Sequence, residues 1–324
     1  MAYPNLAVSI GDSAGIGPEI LARFLLAGCA DRSLDLTVFA PPALLEDVFQ
    51  TMAPELGIDE GHVTGSLIEC RVIGEGPVMW TPGSPSAVSA RVAWESLDAA
   101  LDAVRSGRSQ ALVTLPIHKA NMRGIGFPFD GHTDYLAART GATRAVMCYD
   151  SPAMVVALAT THIGLRQVFD VLTPGCIEST TRTLADYLRQ KGIVNPGMAI
   201  AGLNPHAGSG DRFGDEEQRI VVPAVEQLRR DGFNVSGPIA PDTVFLRAKQ
   251  GEFDAVVSLY HDQGSIAIKT LDFDHTVNVT LGLPIIRTSV DHGTAFDLAG
   301  KGRASFRNLE AATILASRLA ALSR

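Results

Sequence analysis

The chain has 324 residues, 46% hydrophobic and 19% charged, with a formal net charge of −8. At roughly 100–200 residues per domain, that length predicts two domains or one large α/β unit, with a core that needs no disulfide or metal staple. The acidic balance argues against a nucleic-acid partner, whose phosphates require a positive surface, yet leaves room for a locally basic pocket.

No apolar run approaches the ~20 residues of a membrane span. The opening MAYPNLAVSIGDSAGIGPE has neither the basic start nor the apolar length of a signal peptide, so no membrane association and a cytoplasmic location are expected. Cys29, Cys70, Cys148 and Cys176 form no CxxC pair and read as reduced core residues.

In chain order, Asn5–Ile10 predicts a strand and Gly17–Leu26 the helix after it. Leu36–Ala40 is a strand and Pro42–Ala53 a helix, followed by a helix over Pro85–Val104 and a strand over Ala111–Pro116. Two apolar runs flank Asp150-Ser151-Pro152 within Ala145–Thr160, which predicts a hairpin and an antiparallel contribution. Helices are expected at Cys176–Lys191 and Asp215–Asp231 with a strand, Gly197–Leu203, between them. Strands at Phe253–Leu259 and Val277–Leu281 precede a closing helix, Leu309–Leu322. Such alternation predicts a mostly parallel, layered α/β fold. The chain is expected to cross between two domains near Gly131 and Pro284, dividing into 1–130 plus 285–324 and 131–284.

Four of the eight histidines, His132, His162, His206 and His261, lie in or beside Gly/Pro/Thr/Asp-rich stretches that closely follow apolar runs. The ends of strands line the ligand crevice in α/β sheets, so these imidazoles are candidates to converge on a divalent metal. Against this, any single histidine is more often a turn cap, and no HxH or HExxH spacing is present. Gly11–Glu19 (GDSAGIGPE) follows a strand and opens a helix, but it fits neither GxGxxG nor a P-loop. The turn GLNPHAGSGDRFGDEE (Gly202–Glu217) is long and flexible, suited either to close approach by a cofactor or to a surface loop. Lys119, Lys269 and Arg287 stand at or near strand ends, where a cation is costly unless paired. Asn278 and Asp242 are polar residues whose settings suit either a turn, a ladder or a ligand contact.

The segments GDSAGIGPEI, PGSPSA, ALVTLPIHKA, FDGHTDYLA, ALATTHIGLR, GLNPHAG, GPIAPDTVF, YHDQG and VNVTLGLPIIRTSVDHGTAFDLAGKG occur in this order, ahead of the closing helix. In them the chain resembles the 4-hydroxythreonine-4-phosphate dehydrogenase family of pyridoxal phosphate (pyridoxine) biosynthesis and its paralogues, such as 4-phospho-D-threonate dehydrogenase. The resemblance implies the two-domain α/β/α architecture of the isocitrate/isopropylmalate dehydrogenase type, with the active site in the interdomain cleft at a homodimer interface. It implies a metal held by His162, His206 and His261, with zinc favoured and magnesium or cobalt as alternatives. Substrate contacts would come from His132, Thr133, Lys269, Asn278 and Arg287. His132, Asp242 and Lys269 are the candidate catalytic acid–base groups. Gly202, Asn204 and Gly208 of the GLNPHAG turn would lie beside NAD or NADP.

The chemistry implied is metal-assisted oxidation of a secondary alcohol on a four-carbon phosphorylated hydroxy acid, with decarboxylation of the β-keto acid. Three departures from the family pattern bear on substrate identity. Ser13 replaces a proline, Ser209-Gly210-Asp211-Arg212 replaces Glu-Gly-Gly-His, and LDFDHT (Leu271–Thr276) replaces a short glycine-containing turn. Terephthalate cis-dihydrodiol, oxidised by the same chemistry, is the alternative substrate. A non-redox metal-dependent lyase or ligand-binding protein is the remaining reading.

Overall fold

In the computed structural model, residues 3–27, 34–57, 71–73, 80–210 and 212–323 are described. Cys29, Cys70 and Asp211 lie outside the described residues. Cys148 and Cys176 are free thiols, the first buried and the second half-buried.

The chain divides into two units, Met1–Thr143 with Leu283–Arg324, and Arg144–Gly282. The first unit begins β1 (Asn5–Ser9), α1 (Gly17–Leu26), β2 (Asp35–Phe39), α2 (Pro42–Met52), β3 (Arg71–Ile73), α3 (Ala87–Arg105) and β4 (Ala111–Thr114). Two short helices follow, α4 (Lys119–Gly124) and α5 (His132–Thr140). The second unit contains β5 (Val146–Asp150), β6 (Val155–Leu158), α6 (Leu165–Val171), α7 (Pro174–Gln190), β7 (Met198–Ala201), α8 (Val222–Arg230), β8 (Val235–Ile239), α9 (Val244–Lys249), β9 (Ala255–Ser258), α10 (His261–Leu271) and β10 (Val277–Leu281). The chain then returns to the first unit as β11 (Ile286–Ser289) and α11 (Arg307–Leu322).

In the first unit the strand order is β3-β2-β1-β4-β11, with parallel pairing throughout. Every residue of β1 and β4 is buried, as a parallel sheet covered on both faces requires. Helix α3 packs on β1, β2 and β4, while α11 packs on β1, β4 and β11. Because the strands are parallel, the loops leaving β1, β4 and β11 emerge at one edge. There Asp12 N–H donates to the Pro116 carbonyl at 2.8 Å and Ile16 N–H to that of Thr294 at 2.9 Å. The GDSAGIGPE turn is one of these loops, and its packing accounts for its first glycine. Gly11 has φ 72°, and a Cβ there would stand 2.4 Å from the Pro116 oxygen. At the other end of the motif the buried Glu19 accepts from Gly300 N–H at 2.8 Å and Ala304 N–H at 3.0 Å.

The second unit has the order β10-β5-β6-β9-β7-β8. The expected hairpin is present, β5 pairing antiparallel with β6 and also with β10, while β6, β9, β7 and β8 are parallel. Tyr149, Met154, Val156, Leu158, Ala199 and Val256 belong to its buried core.

Two expectations are corrected. The helix expected over Asp215–Asp231 is a π-helical turn, Glu217–Val221, followed by α8. The first crossing between units falls after Thr143, not near Gly131. The reason is α5, whose Tyr135 packs at 5.4 Å from both Phe127 and Phe129 and so belongs to the first unit's core.

Candidate active site

In the second unit, β6 and β9 are parallel neighbours paired through Leu158 and Ser258. Their exits are pinned together where Ala159 N–H donates to the Ser258 carbonyl at 2.9 Å and Thr160 Oγ1 to that of Leu259 at 2.7 Å. A few residues further on, the two loops deliver His162 and His261, whose rings lie 5.5 Å apart. The pair lines a cleft of about 160 Å³ together with Thr160, Thr161, Tyr260 and Asp262.

Strand β7 flanks β9 on its other side and sends out the turn bearing His206 at the same edge. Gln263 of α10 ties this exit to the others, its amide nitrogen donating to the Gly202 carbonyl and its oxygen accepting from Leu259 N–H, each at 2.7 Å. Loops from three parallel strands thus bring the three histidines to one edge. Among the described residues no group of three or more His, Cys, Asp or Glu side chains is closed around a single point. The assembled part is the His162–His261 pair.

The donor chemistry of that pair suits a divalent cation. Asp262 Oδ1 lies 2.6 Å from His261 Nδ1. A carboxylate there accepts the Nδ1 proton and leaves Nε2 with its lone pair, the arrangement that orients metal-binding imidazoles. His162 (φ 53°) and His206 (φ 53°) both have left-handed backbone. Uncommon conformations of non-glycine residues cluster at ligand sites, although histidine tolerates this one better than most.

Helix α10 extends the site. His261, Ser265 and Lys269 are spaced four residues apart on one face. Ser265 Oγ lies 2.9 Å from the Tyr149 hydroxyl, and the Lys269 ammonium sits 5.8 Å from the centre of the Tyr149 ring. Asn278 on β10 is the register partner of Tyr149 on β5, so the two side chains share the sheet face that α10 covers. Asp242 is exposed on the turn that leads into α9.

The first unit gathers a different set. His132 and Thr133 form the first turn of α5, whose N-cap Gly131 makes no side-chain cap bond to its leading N–H groups, a terminus suited to an anion. Arg287 on β11 is 4% exposed and donates to Thr114 Oγ1 on β4 from Nε at 3.2 Å and Nη2 at 2.7 Å. Burial lowers the Arg287 pKa to about 10, which still leaves it a cation at neutral pH. His132 is half-buried overall, but its Nε2 is buried with no hydrogen-bond partner among the described residues. Desolvation first, then Arg287 and Lys119, push its pKa well below the usual 6.5, so the ring is neutral.

The GLNPHAG turn packs closely against the acidic pair Glu216 and Glu217. Asn204 Nδ2 is spent on Glu216 at 2.8 Å and Glu217 at 3.0 Å. A Cβ on Gly202 would stand 2.9 Å from Ala207 Cα, and one on Gly208 would stand 2.9 Å from Glu217 Oε2. Gly202 thus packs on the turn itself, while Asn204 and Gly208 pack on the glutamates that follow it. Tyr149, Gln263, Asp262 and Thr114 were not singled out from the sequence. Asp262 and Gln263 of YHDQG and Thr114 of ALVTLPIHKA lie within segments that the sequence marks, whereas Tyr149 does not.

An edge carrying an oriented imidazole pair, and a separate buried cation beside a neutral imidazole, suit an enzyme acting on a small anionic substrate. The fold and the relatives define the class: the protein is a dehydrogenase, an oxidoreductase acting on a CH–OH group. It belongs to the family of pyridoxal phosphate biosynthetic protein PdxA, whose family model matches residues 35–316. A 4-hydroxythreonine-4-phosphate dehydrogenase of Desulfosudis oleivorans is 40% identical over 97% of this chain and 95% of its own. A Symbiobacterium thermophilum protein, provisionally named D-threonate 4-phosphate dehydrogenase, is 38% identical over 99% and 98%. Among solved structures, 4-hydroxythreonine-4-phosphate dehydrogenase from Klebsiella pneumoniae superposes with a TM-score of 0.84 at 36% identity, covering 98% and 99% of the two chains. A terephthalate 1,2-cis-dihydrodiol dehydrogenase from Burkholderia xenovorans LB400 is more distant, with a TM-score of 0.66 and 25% identity over 97% and 98%. No helix among the described residues is long and apolar enough to cross a membrane.

Proposed function

We propose that the protein oxidises the secondary alcohol of a four-carbon phosphorylated hydroxy acid and that the resulting β-keto acid loses CO2. The substrate is 4-hydroxythreonine 4-phosphate or 4-phospho-D-threonate/erythronate, the acceptor NAD or NADP, and the working form a homodimer. The names of the relatives support the substrate class. The observation that carries the mechanism is the imidazole pair His162–His261 with Asp262 behind it. With His206 these residues would hold one divalent cation, zinc by the preference of three imidazoles.

When bound, such a cation would supply Lewis acidity to the substrate hydroxyl, and the nicotinamide would supply a hydride acceptor. The protein's own residues do the rest. His261 is kept in the binding tautomer by Asp262. Lys269, on the same face of α10, is assigned to exchange the hydroxyl proton, and Asn278 orients the substrate beside it. Arg287, Lys119 and the first turn of α5 hold an anionic group, with neutral His132 free to bond it. Asp242 is exposed and receives no step.

The test is nicotinamide reduction and CO2 release with 4-hydroxythreonine 4-phosphate, 4-phospho-D-threonate and terephthalate dihydrodiol supplied separately. Turnover of a phosphorylated acid with one CO2 per reduced nicotinamide is expected. Turnover of the dihydrodiol alone would replace the substrate class, and no turnover of any of the three would sink the reaction.

A further inference from the structure

The turn that carries His206 is held in a disfavoured conformation from outside itself. His206 (φ 53°), Ala207 (φ 51°) and Ser209 (φ 47°) are non-glycine residues in the left-handed region, and Gly208 (φ 82°) and Gly210 (φ 69°) complete a run of five. Each non-glycine residue there brings its Cβ against a backbone carbonyl. Several together persist only where the surroundings over-determine them.

Those surroundings centre on Glu217, which is 1% exposed. Its Oε1 accepts from the backbone N–H of Leu203 at 2.8 Å and of Asn204 at 2.7 Å, and its Oε2 accepts from Asn204 Nδ2 at 3.0 Å. The carboxylate therefore grips the two residues that lead into the turn, while Gly208 closes over Oε2 from the far side. Glu217 is also the first residue of the π-helical turn Glu217–Val221. A π-turn is a rare departure from α-helical winding that is frequent at functional sites. Two irregular segments, the left-handed run and the π-turn, thus meet at one buried acid.

We propose that Glu217 is a positioning residue: its carboxylate holds the left-handed turn so that His206 is presented to a divalent cation alongside His162 and His261. The inference rests on reading His206 as a metal ligand. Cobalt(II) is the probe, because its visible absorption reports ligand geometry and a competing chelator reports its affinity. Full-length wild type, Glu217→Gln and His206→Ala are compared.

Both variants are expected to weaken cobalt binding, Glu217→Gln by about ten- to a hundredfold with an altered spectrum at saturation. If His206→Ala weakens binding while Glu217→Gln binds as wild type and merely melts earlier, the positioning role is overturned and the metal reading stands. If His206→Ala binds cobalt as wild type does, the metal reading falls and takes this inference with it. Should Glu217→Gln fail to fold, hydrogen exchange in the wild type decides the matter. Protected amides at Leu203 and Asn204, slowed further by cobalt, are expected; rapid exchange at both would overturn the proposal.

Discussion

At His132 a neutral imidazole is kept close to the cations of Arg287 and Lys119. The folded ring resists protonation, whereas the unfolded ring takes up a proton near its ordinary pKa of 6.5. Acidification from that point downward therefore protonates the unfolded chain alone. The stability this residue contributes is present above pH 6.5 and falls as the pH drops toward the folded pKa. An anion bound between Arg287 and Thr133 would offset the two cations and raise the pKa of the ring. Imidazole NMR titration should show His132 neutral well below pH 6.5 in the free protein, with its transition moved upward by inorganic phosphate. A ring that titrates normally, or that phosphate leaves unmoved, would remove His132 from the anion site. Residue types at this scale were legible in the sequence: His162, His206 and His261 were suspected because each closely follows an apolar run. Their backbone conformation was not legible, since φ at His162 and His206 is imposed by contacts made only in the fold. Nor was Tyr149, which in the sequence is one more aromatic residue within an apolar strand.

Helix α5 shows how an element places a site residue. Its Tyr135 is fully buried among Phe127 and Phe129, and its hydroxyl donates to Asp98 of α3. Burial, with Asp98 second, raises the pKa of that hydroxyl. Arg139, one turn on, also donates to Asp98 and to the Tyr135 oxygen, the latter at 2.8 Å. The clamp fixes the start of α5, where His132 and Thr133 sit. Tyr135→Phe keeps the aromatic packing but removes the donor, so it should cost about 1 kcal/mol in urea unfolding. It should also raise KM for the phosphorylated substrate more than it lowers kcat. An unchanged KM would mean that the clamp serves stability alone. The long strands and helices were legible from apolar periodicity; the helix expected at Gly17–Leu26 and the strand at Val277–Leu281 have those bounds in the structure. Helices α5 and α10 were not, because both open on polar residues (HTDY and HDQG) that resemble loop. Their helical state comes from what they pack against.

Across the whole chain, chemistry is distributed between two units that each have their own core. Arg144–Gly282 carries the imidazoles, Lys269 and Asn278, while Met1–Thr143 with Leu283–Arg324 carries His132, Thr133 and Arg287. Family membership was legible because the chemical segments keep their order along the chain. The point where the chain leaves the first unit was not, because the glycine at 131 caps a helix and does not mark a hinge. The oxidation proposed for this protein is metal-dependent, and that dependence is the central proposal. It is tested most directly by stripping the protein of metal and following nicotinamide reduction on 4-hydroxythreonine 4-phosphate and 4-phospho-D-threonate as zinc is added back. No turnover in the stripped protein, with full activity restored at one zinc per chain, is the predicted result. Full turnover by the stripped protein on either substrate would contradict the account.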